Sequence, residues 1–229
     1  ANDHIRYMGA VVKANVNTTF YVHRLFVDED FPFKVNMNAW GTTHKFSFRI
    51  AETNLFIGPQ YNYFKTKNSL DINTDFPRLD SLINNVHGQS SLGMLGLFMN
   101  LDSRDNFLSP NKGVYIGGIA NYNSTFLGGK TDYWNFQGYG KFYFPVGQKV
   151  FGAARFSFEF TSGDVPFYSK PYVELRGLPA MRYQGNEVIQ VETQWRWQFY
   201  KNWSVLGFTG TGKAMNKISE FDDSQWIYN

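Results

Sequence analysis

Apolar and polar side chains alternate along much of the chain. In "VIQVETQWRWQF", Ile189, Val191, Trp195, Trp197 and Phe199 share one parity, and Gln190, Glu192, Gln194, Arg196 and Gln198 share the other. In "VFGAARFSFEF", Val150, Ala154, Phe156, Phe158 and Phe160 oppose Arg155, Ser157 and Glu159. "FKVNMNAW" sets Phe33, Val35, Met37 and Ala39 against Lys34, Asn36 and Asn38, and "KFSFRI" and "WNFQGYGKFYF" alternate in the same way. Successive side chains of an extended strand point to opposite faces, so this period predicts strands, each with an apolar and a polar face. The strands read as about ten residues long, the length that crosses a membrane as a tilted strand.

The breaks between these stretches come in two sizes. Short ones fall at 51–54, 104–113, 145–148 and 200–202, and long ones at 65–90, 124–132, 161–187 and 213–224. From residue 44 onward the two sizes alternate strictly. A soluble sandwich or lipocalin-like barrel also alternates, with its apolar face inward. Such a sheet has little use for rings on one face and charges and amides on the other in nearly every strand, or for a strict rhythm of loop lengths. A barrel wall between lipid and a wet lumen, with tight periplasmic turns and long external loops, requires both. The predicted fold is therefore all-β, an antiparallel transmembrane β-barrel forming one domain over residues 1–229. About twelve strands are readable, as part of a barrel of about sixteen. "SQWIYN" begins a strand, so closing strands are expected beyond it, and the start "ANDHIR" is read as that of a mature or trimmed form.

Composition narrows the picture. Aromatic residues make up 19% of the chain beside 21 glycines, yet the mean hydropathy is −0.37. No apolar run approaches the roughly 18 residues of a membrane helix, which excludes a helical membrane protein and leaves a barrel open. The net charge of +3 comes from 22 basic and 19 acidic residues scattered along the chain, a poor footprint for nucleic acid. There is no cysteine, and His4, His23, His44 and His87 lack ligand spacing. The remaining metal candidate is an oxygen-ligand calcium site at Asp28-Glu29-Asp30, and neither a metal nor a cofactor is expected. Nor is catalysis: His44 shares parity with Phe46 and Phe48, away from any serine that could act with it.

"GFTGTGKA", Gly207 to Ala214, is one residue from a phosphate-binding loop, with Ala214 where Ser or Thr is needed. It follows an alternating strand and precedes the polar stretch "MNKISEFDDSQ", so it reads as the second strand of a hairpin. By parity Phe208, Gly210 and Gly212 face the lumen.

From about Leu55 to Ala214 the chain resembles the barrel of the BamA/TamA superfamily of outer-membrane proteins, the bacterial surface antigen family. "LFIGPQYNY" is similar to a mid-barrel strand of that family. "LDSRDNFLSPNKGVYI" is similar to its strand-turn-strand element, carried by Asp102, Arg104, Asp105, Pro110 and Gly113. "GDVPFYSKPYVELRGLPAMRYQG" resembles its long lid loop, with Arg176-Gly177 at the tip, and "QVETQWRW" the strand after it. Pro110 to Gly113 also has turn chemistry in its own right, and a connection of about 27 residues is too long for a mere link.

The resemblance implies a bacterial outer-membrane protein that inserts other barrels or translocates polypeptides through a weak seam between first and last strands. Its lid, 161–187, would fold into the lumen, with Arg176 held by acids on the next two strands. Glu192 fits the first of these positions and Gly210 stands at the second, so one partner is expected to be missing. Asp102 and Asp105 are expected to pair with Arg104 at the lumen mouth. The implied partners are outer-membrane lipid and either client polypeptides or an associated periplasmic or surface protein. The alternative function is a passive pore or small-molecule transporter.

Overall fold

The computed structural model describes residues 4–22, 31–70 and 88–229. Among them ten strands form one antiparallel sheet in sequence order: β1 (Ile5–Val22), β2 (Phe31–Arg49), β3 (Leu55–Leu70), β4 (Gly88–Asp102), β5 (Gly113–Asn123), β6 (Tyr133–Pro145), β7 (Val150–Gly163), β8 (Glu187–Tyr200), β9 (Trp203–Met215) and β10 (Ile227–Tyr228). Every neighbour in sequence is a neighbour in the sheet, the arrangement that short antiparallel connections favour. His23, His87 and Asp28-Glu29-Asp30 lie outside the described residues. No helix among those described is long and apolar enough to cross a membrane.

The connections β2–β3, β4–β5, β6–β7 and β8–β9 lie at one end of the sheet and β5–β6, β7–β8 and β9–β10 at the other, but the expected two sizes overlap, since residues 103–112 between β4 and β5 outnumber residues 124–132 between β5 and β6. "GFTGTGKA" lies in β9, as its alternation predicts. The strands run from 11 to 19 residues apart from β10, longer than their alternation suggests, so the described residues hold ten strands where about twelve were read. The expected break at 65–90 is shorter for the same reason, since β3 continues to Leu70 and β4 starts at Gly88. At these ends the apolar face gives way to Lys65, Lys67, Gln89 and Ser91, and the hydropathy signal of a half-buried strand is lost although the backbone pairing continues.

One face of the sheet is exposed and aromatic. Phe156, Phe158, Phe160, Trp195, Trp197 and Phe199 all lie on it. The opposite, enclosed face carries buried polar groups, among them Gln60, Asn121, Asn135 and Glu192; it opens towards the edges of the sheet, where Met8, Val12, Val16 and Leu206 on it are exposed and β1 and β10 do not pair among the described residues. Residues far apart in the sheet meet there: Arg6 of β1 lies over the Phe56 ring of β3 at 4.1 Å, and Lys45 of β2 over Phe98 of β4 at 3.5 Å. The outward-facing run on β8 from Ile189 to Phe199 spans about 33 Å along a strand rising about 3.3 Å per residue. Tilted by about 45°, it covers about 23 Å of height, close to the ~25 Å lipid-facing band of outer-membrane barrels.

The faces do not keep one character along β2. Phe46 and Phe48 point outward, as the alternation predicts, but Val35 is 1% exposed and packs inward with Met37 against Phe20 of β1. Pairing with β1 and β3 gives no sign of a bulge between these segments. The chemistry of each face therefore switches near Trp40. Beyond that point the outer face carries Asn36 and Asn38, and the inner face meets the long connection between β7 and β8. Val35, Met37 and Ala39 of "FKVNMNAW" do share a face, but it is the inner one; the side chain of Phe33 lies outside those described.

That connection, residues 164–186, lies on the enclosed face and takes part in both clusters of buried apolar side chains. Phe167, Tyr168 and Met181 pack on Phe20 and Val35, with the Phe20 and Phe167 rings edge to face at 5.1 Å. Val173 and Leu175 pack with Val188 of β8, flanked by Leu178 and Ile227. The core of the protein therefore sits between the sheet and this connection.

Candidate functional site

The site is built where the connection crosses β7, β8 and β9. Arg155 of β7 and Glu192 of β8 are directly opposite in the ladder, and Gly210 of β9 is opposite Glu192 on the other side. Their even or odd positions place all three on the enclosed face. The connection lays residues 173–176 across them.

Glu192 is 2% exposed and meets two guanidinium groups. Arg176 approaches its Oε1 at 2.6 Å, and Arg155 lies 3.8 Å from its Oε2. A carboxylate buried this deeply is tolerable only when paired and hydrogen-bonded. Arg176 also donates to Gln194 Oε1 at 2.6 Å, and its guanidinium lies 4.5 Å from the centre of the Phe208 ring. The backbone of the connection is held as well. Arg155 donates to the Glu174 carbonyl at 2.7 Å, and the Glu174 amide donates to Gln190 Oε1 at 2.7 Å. The Arg176 carbonyl accepts from Asn229 Nδ2 at 3.0 Å.

The structure thus joins Arg176 to Glu192, the pair the resemblance implied, and adds a second guanidinium, Arg155, that it did not imply. Gly210 stands where the resemblance places a second acid, and it serves another purpose. A Cβ there would stand 2.8 Å from the Val191 carbonyl and 3.0 Å from Leu175 Cδ2, so the missing side chain is what lets Leu175 close on β9. Gly177 follows Arg176 with φ of +84°, a backbone turn that suits glycine, and has open space around it. Parity identified Glu192 and Arg155 as inward-facing, but their pairing depends on the β7–β8 register. Gln194 and Phe208 are also on the parity-assigned inner face, whereas nothing in the sequence pointed to Asn229.

The second group of expected site residues lies in the β4–β5 turn. Asp102 accepts from Arg104 Nε at 2.9 Å and Nη2 at 2.7 Å, a bidentate pair. Arg104 is further held between the Phe107 and Tyr115 rings, at 5.0 and 4.6 Å. Asp105 does not join this pair, contrary to expectation. Its Oδ1 accepts from the amides of Asn111 at 2.9 Å and Lys112 at 3.2 Å, closing the turn on itself. These backbone donors, Asn111 foremost, hold its carboxyl below the usual range. Gly113 has φ of +107°, the left-handed conformation that follows the Pro110-Asn111-Lys112 turn. The turn reaches the enclosed face: Arg196 of β8 donates to Ser109 Oγ at 2.7 Å and to Asn111 Oδ1. A cavity of about 390 Å³ separates the two groups, lined by Pro110, Lys141, Arg155, Arg176, Glu192 and Arg196. His44 lies on the outer face, hydrogen-bonded to Tyr7 at 2.7 Å and Thr42 at 3.0 Å.

Comparison with known proteins gives two matches of different kinds. Residues 10–174 match the model of the Omp85 superfamily domain. That span begins well before the resemblance read from Leu55 and stops just short of Arg176. Among solved structures, the chain is similar to BamA from Haemophilus ducreyi lacking POTRA domains 1–3, with a TM-score of 0.59 at 14% identity. The similarity covers 87% of this chain and 49% of that one, so the chain spans about half the length of this relative; at that identity it speaks for the fold alone. Comparison with curated protein sequences gave no match.

Proposed function

The chain belongs to the Omp85 superfamily, and from that premise we propose that its sheet is part of a closed bacterial outer-membrane barrel that inserts or translocates polypeptides, with residues 164–186 as the lid of its lumen. On this reading the aromatic face meets lipid, the enclosed face lines a lumen in a barrel of about sixteen strands, and the seam between first and last strands is where clients pass. The observation that carries the proposal is the grip on the lid. Arg176 ends on a buried carboxylate beneath two apolar clusters that the lid itself completes. A connection held by one ion pair, a few hydrogen bonds and two small apolar clusters can close a lumen and still be released.

The experiment is reconstitution of the intact protein into lipid vesicles with a denatured outer-membrane barrel added from outside. Faster folding of the client than in protein-free vesicles, with low resting conductance, is expected. A steady conductance with no effect on client folding would instead identify a passive pore.

A further inference from the structure

The three strands β1, β2 and β3 contain no Asp or Glu, yet they carry several Lys and Arg. Those that point inward, Arg6, Lys45 and Arg49, each lie over an aromatic ring, Phe56 or Phe98. Of the outward ones, Lys34 lies nearer the start of β2 and the other three form a row. Lys13 of β1 pairs in register with Trp40 of β2, and Trp40 pairs with Lys65 of β3. Lys67 follows on the same face of β3, beside Asn38, which pairs with Asn15. Neighbouring strands are about 4.8 Å apart, so Lys13 and Lys65 flank the Trp40 ring at about 10 Å from each other, with Lys67 about 7 Å from Lys65. None of the three lysines pairs with a carboxylate among the described residues.

The height of this row is what gives it meaning. Below Trp40 the outer face is mostly apolar, with Phe46, Phe48, Ile57 and the Trp40–Tyr63 ring contact at 5.5 Å, and its polar residues on β2, Thr42 and His44, are hydrogen-bonded to each other and to Tyr7. Above it the outer face turns to Asn15, Asn36, Asn38 and Ser69. Trp40 and Tyr63 therefore stand at a boundary between lipid and water, where amphipathic rings settle. Lys13, Lys65 and Lys67 are placed at the level of the lipid headgroups, and their stems are long enough to reach a phosphate beside the rings.

Resting on the membrane reading above, we propose that Lys13, Lys65 and Lys67 around Trp40 form a docking surface for the phosphate groups of anionic lipids in the leaflet at the long-connection end. The occupant is a membrane lipid rather than a soluble anion, because the lysines are arranged along the edge of the apolar belt and the ring between them continues that belt. Each lysine near an anionic surface adds about a fivefold preference. Three therefore favour phosphate-rich lipid around β1–β3 by about two orders of magnitude over a neutral headgroup.

The test uses the intact protein in nanodiscs of phosphatidylcholine alone or with one-fifth lipid A. Amine-reactive labelling is followed residue by residue, and quenching of tryptophan fluorescence by brominated acyl chains is recorded in the same discs. Lys13, Lys65 and Lys67 should label at least about fivefold more slowly with lipid A, whereas Lys149 and Lys201 at the short-turn end should not change. The protection should fade in high salt. A Lys13→Gln/Lys65→Gln/Lys67→Gln variant should fold, show the same quenching and recruit less lipid A from mixed discs. Equal labelling in both discs with quenching intact overturns the docking surface and leaves the membrane reading standing. No quenching in either disc overturns both. Equal protection by soluble pyrophosphate in neutral discs overturns the assignment to lipid.

Discussion

Replacing Arg176 by Gln should release the connection without unfolding the sheet, and the size of the effect can be worked from the site. The Arg176–Glu192 contact is 2.6 Å, and the acid is 2% exposed while the guanidinium is 40% exposed. A charged hydrogen bond is worth about 1.5–3 kcal/mol, and the exposure of Arg176 discounts this towards the lower end. Glu192 also keeps Arg155 at 3.8 Å after the change, so its charge is not left alone. A loss of about 1–2 kcal/mol is expected, which raises the undocked population about 5–30-fold. Glu192→Gln should cost more, because it removes the partner of both guanidinium groups and leaves them facing each other. Arg155→Gln should cost least at the ion pair, though it also removes the bond to the Glu174 carbonyl. Limited proteolysis between residues 164 and 186, read beside single-channel conductance, should give the order Glu192→Gln, Arg176→Gln, Arg155→Gln in both assays. A reciprocal exchange of Arg176 and Glu192 should not restore docking, since Glu192→Arg sets a guanidinium directly opposite Arg155. Unchanged proteolysis and conductance in both Glu192→Gln and Arg176→Gln would refute the reasoning, as would full rescue by the exchange.

Gly210→Asp should loosen the connection rather than tighten it, because even the first side-chain carbon meets the Val191 carbonyl at 2.8 Å; protease sensitivity checks this against Gly210→Ala, which should show most of the same effect. Single cysteines at Ser69, Thr125 and Ser219 should react with an impermeant reagent on whole cells and those at Leu108, Gly147 and Asn202 should not, against a background free of native cysteine. The Asp105 carboxyl should titrate below its ordinary value of about 3.9. Its contribution to the turn is therefore complete above that value and lost as pH falls through the depressed one, and faster exchange of the Asn111 and Lys112 amides only in that acid range checks the sign.

Much of this arrangement was legible in the chain because parity and turn chemistry are local. Trp195 and Glu192 declare their faces by their position in one strand, and Pro110 to Gly113 declares a turn by its residue types. What was missed depends on register or on height in the membrane. Arg155 and Glu192 face each other only because β7 and β8 pair as they do, and no pattern in either strand specifies that offset. Val35 and Met37 point inward because β2 extends past the apolar belt, where burial against Phe167 and Tyr168 takes over from lipid. The period is the same on both sides of Trp40 but its phase shifts, from apolar odd positions at Val35 and Met37 to apolar even ones at Phe46 and Phe48, and only the unbroken pairing shows that this is a change in the chemistry of each face rather than a bulge. Gly210 read as a missing acid because a residue absent from an expected position looks like a loss until the space it leaves is found to hold Leu175.

Lipid contact is expected along the ring-bearing face of the sheet and not along the amide- and charge-bearing face. It is tested most directly by spin labels placed one at a time from Ala154 to Phe160 on β7 and from Ile189 to Gln194 on β8, in the intact protein reconstituted in lipid. Collision with oxygen should peak at positions 156, 158 and 160 and at 189, 191 and 193, and collision with a water-soluble nickel complex or immobilisation should dominate at the alternate positions. A profile with no period of two, or one in which the nickel complex reaches 156, 158 and 160 as readily as oxygen, would contradict the account.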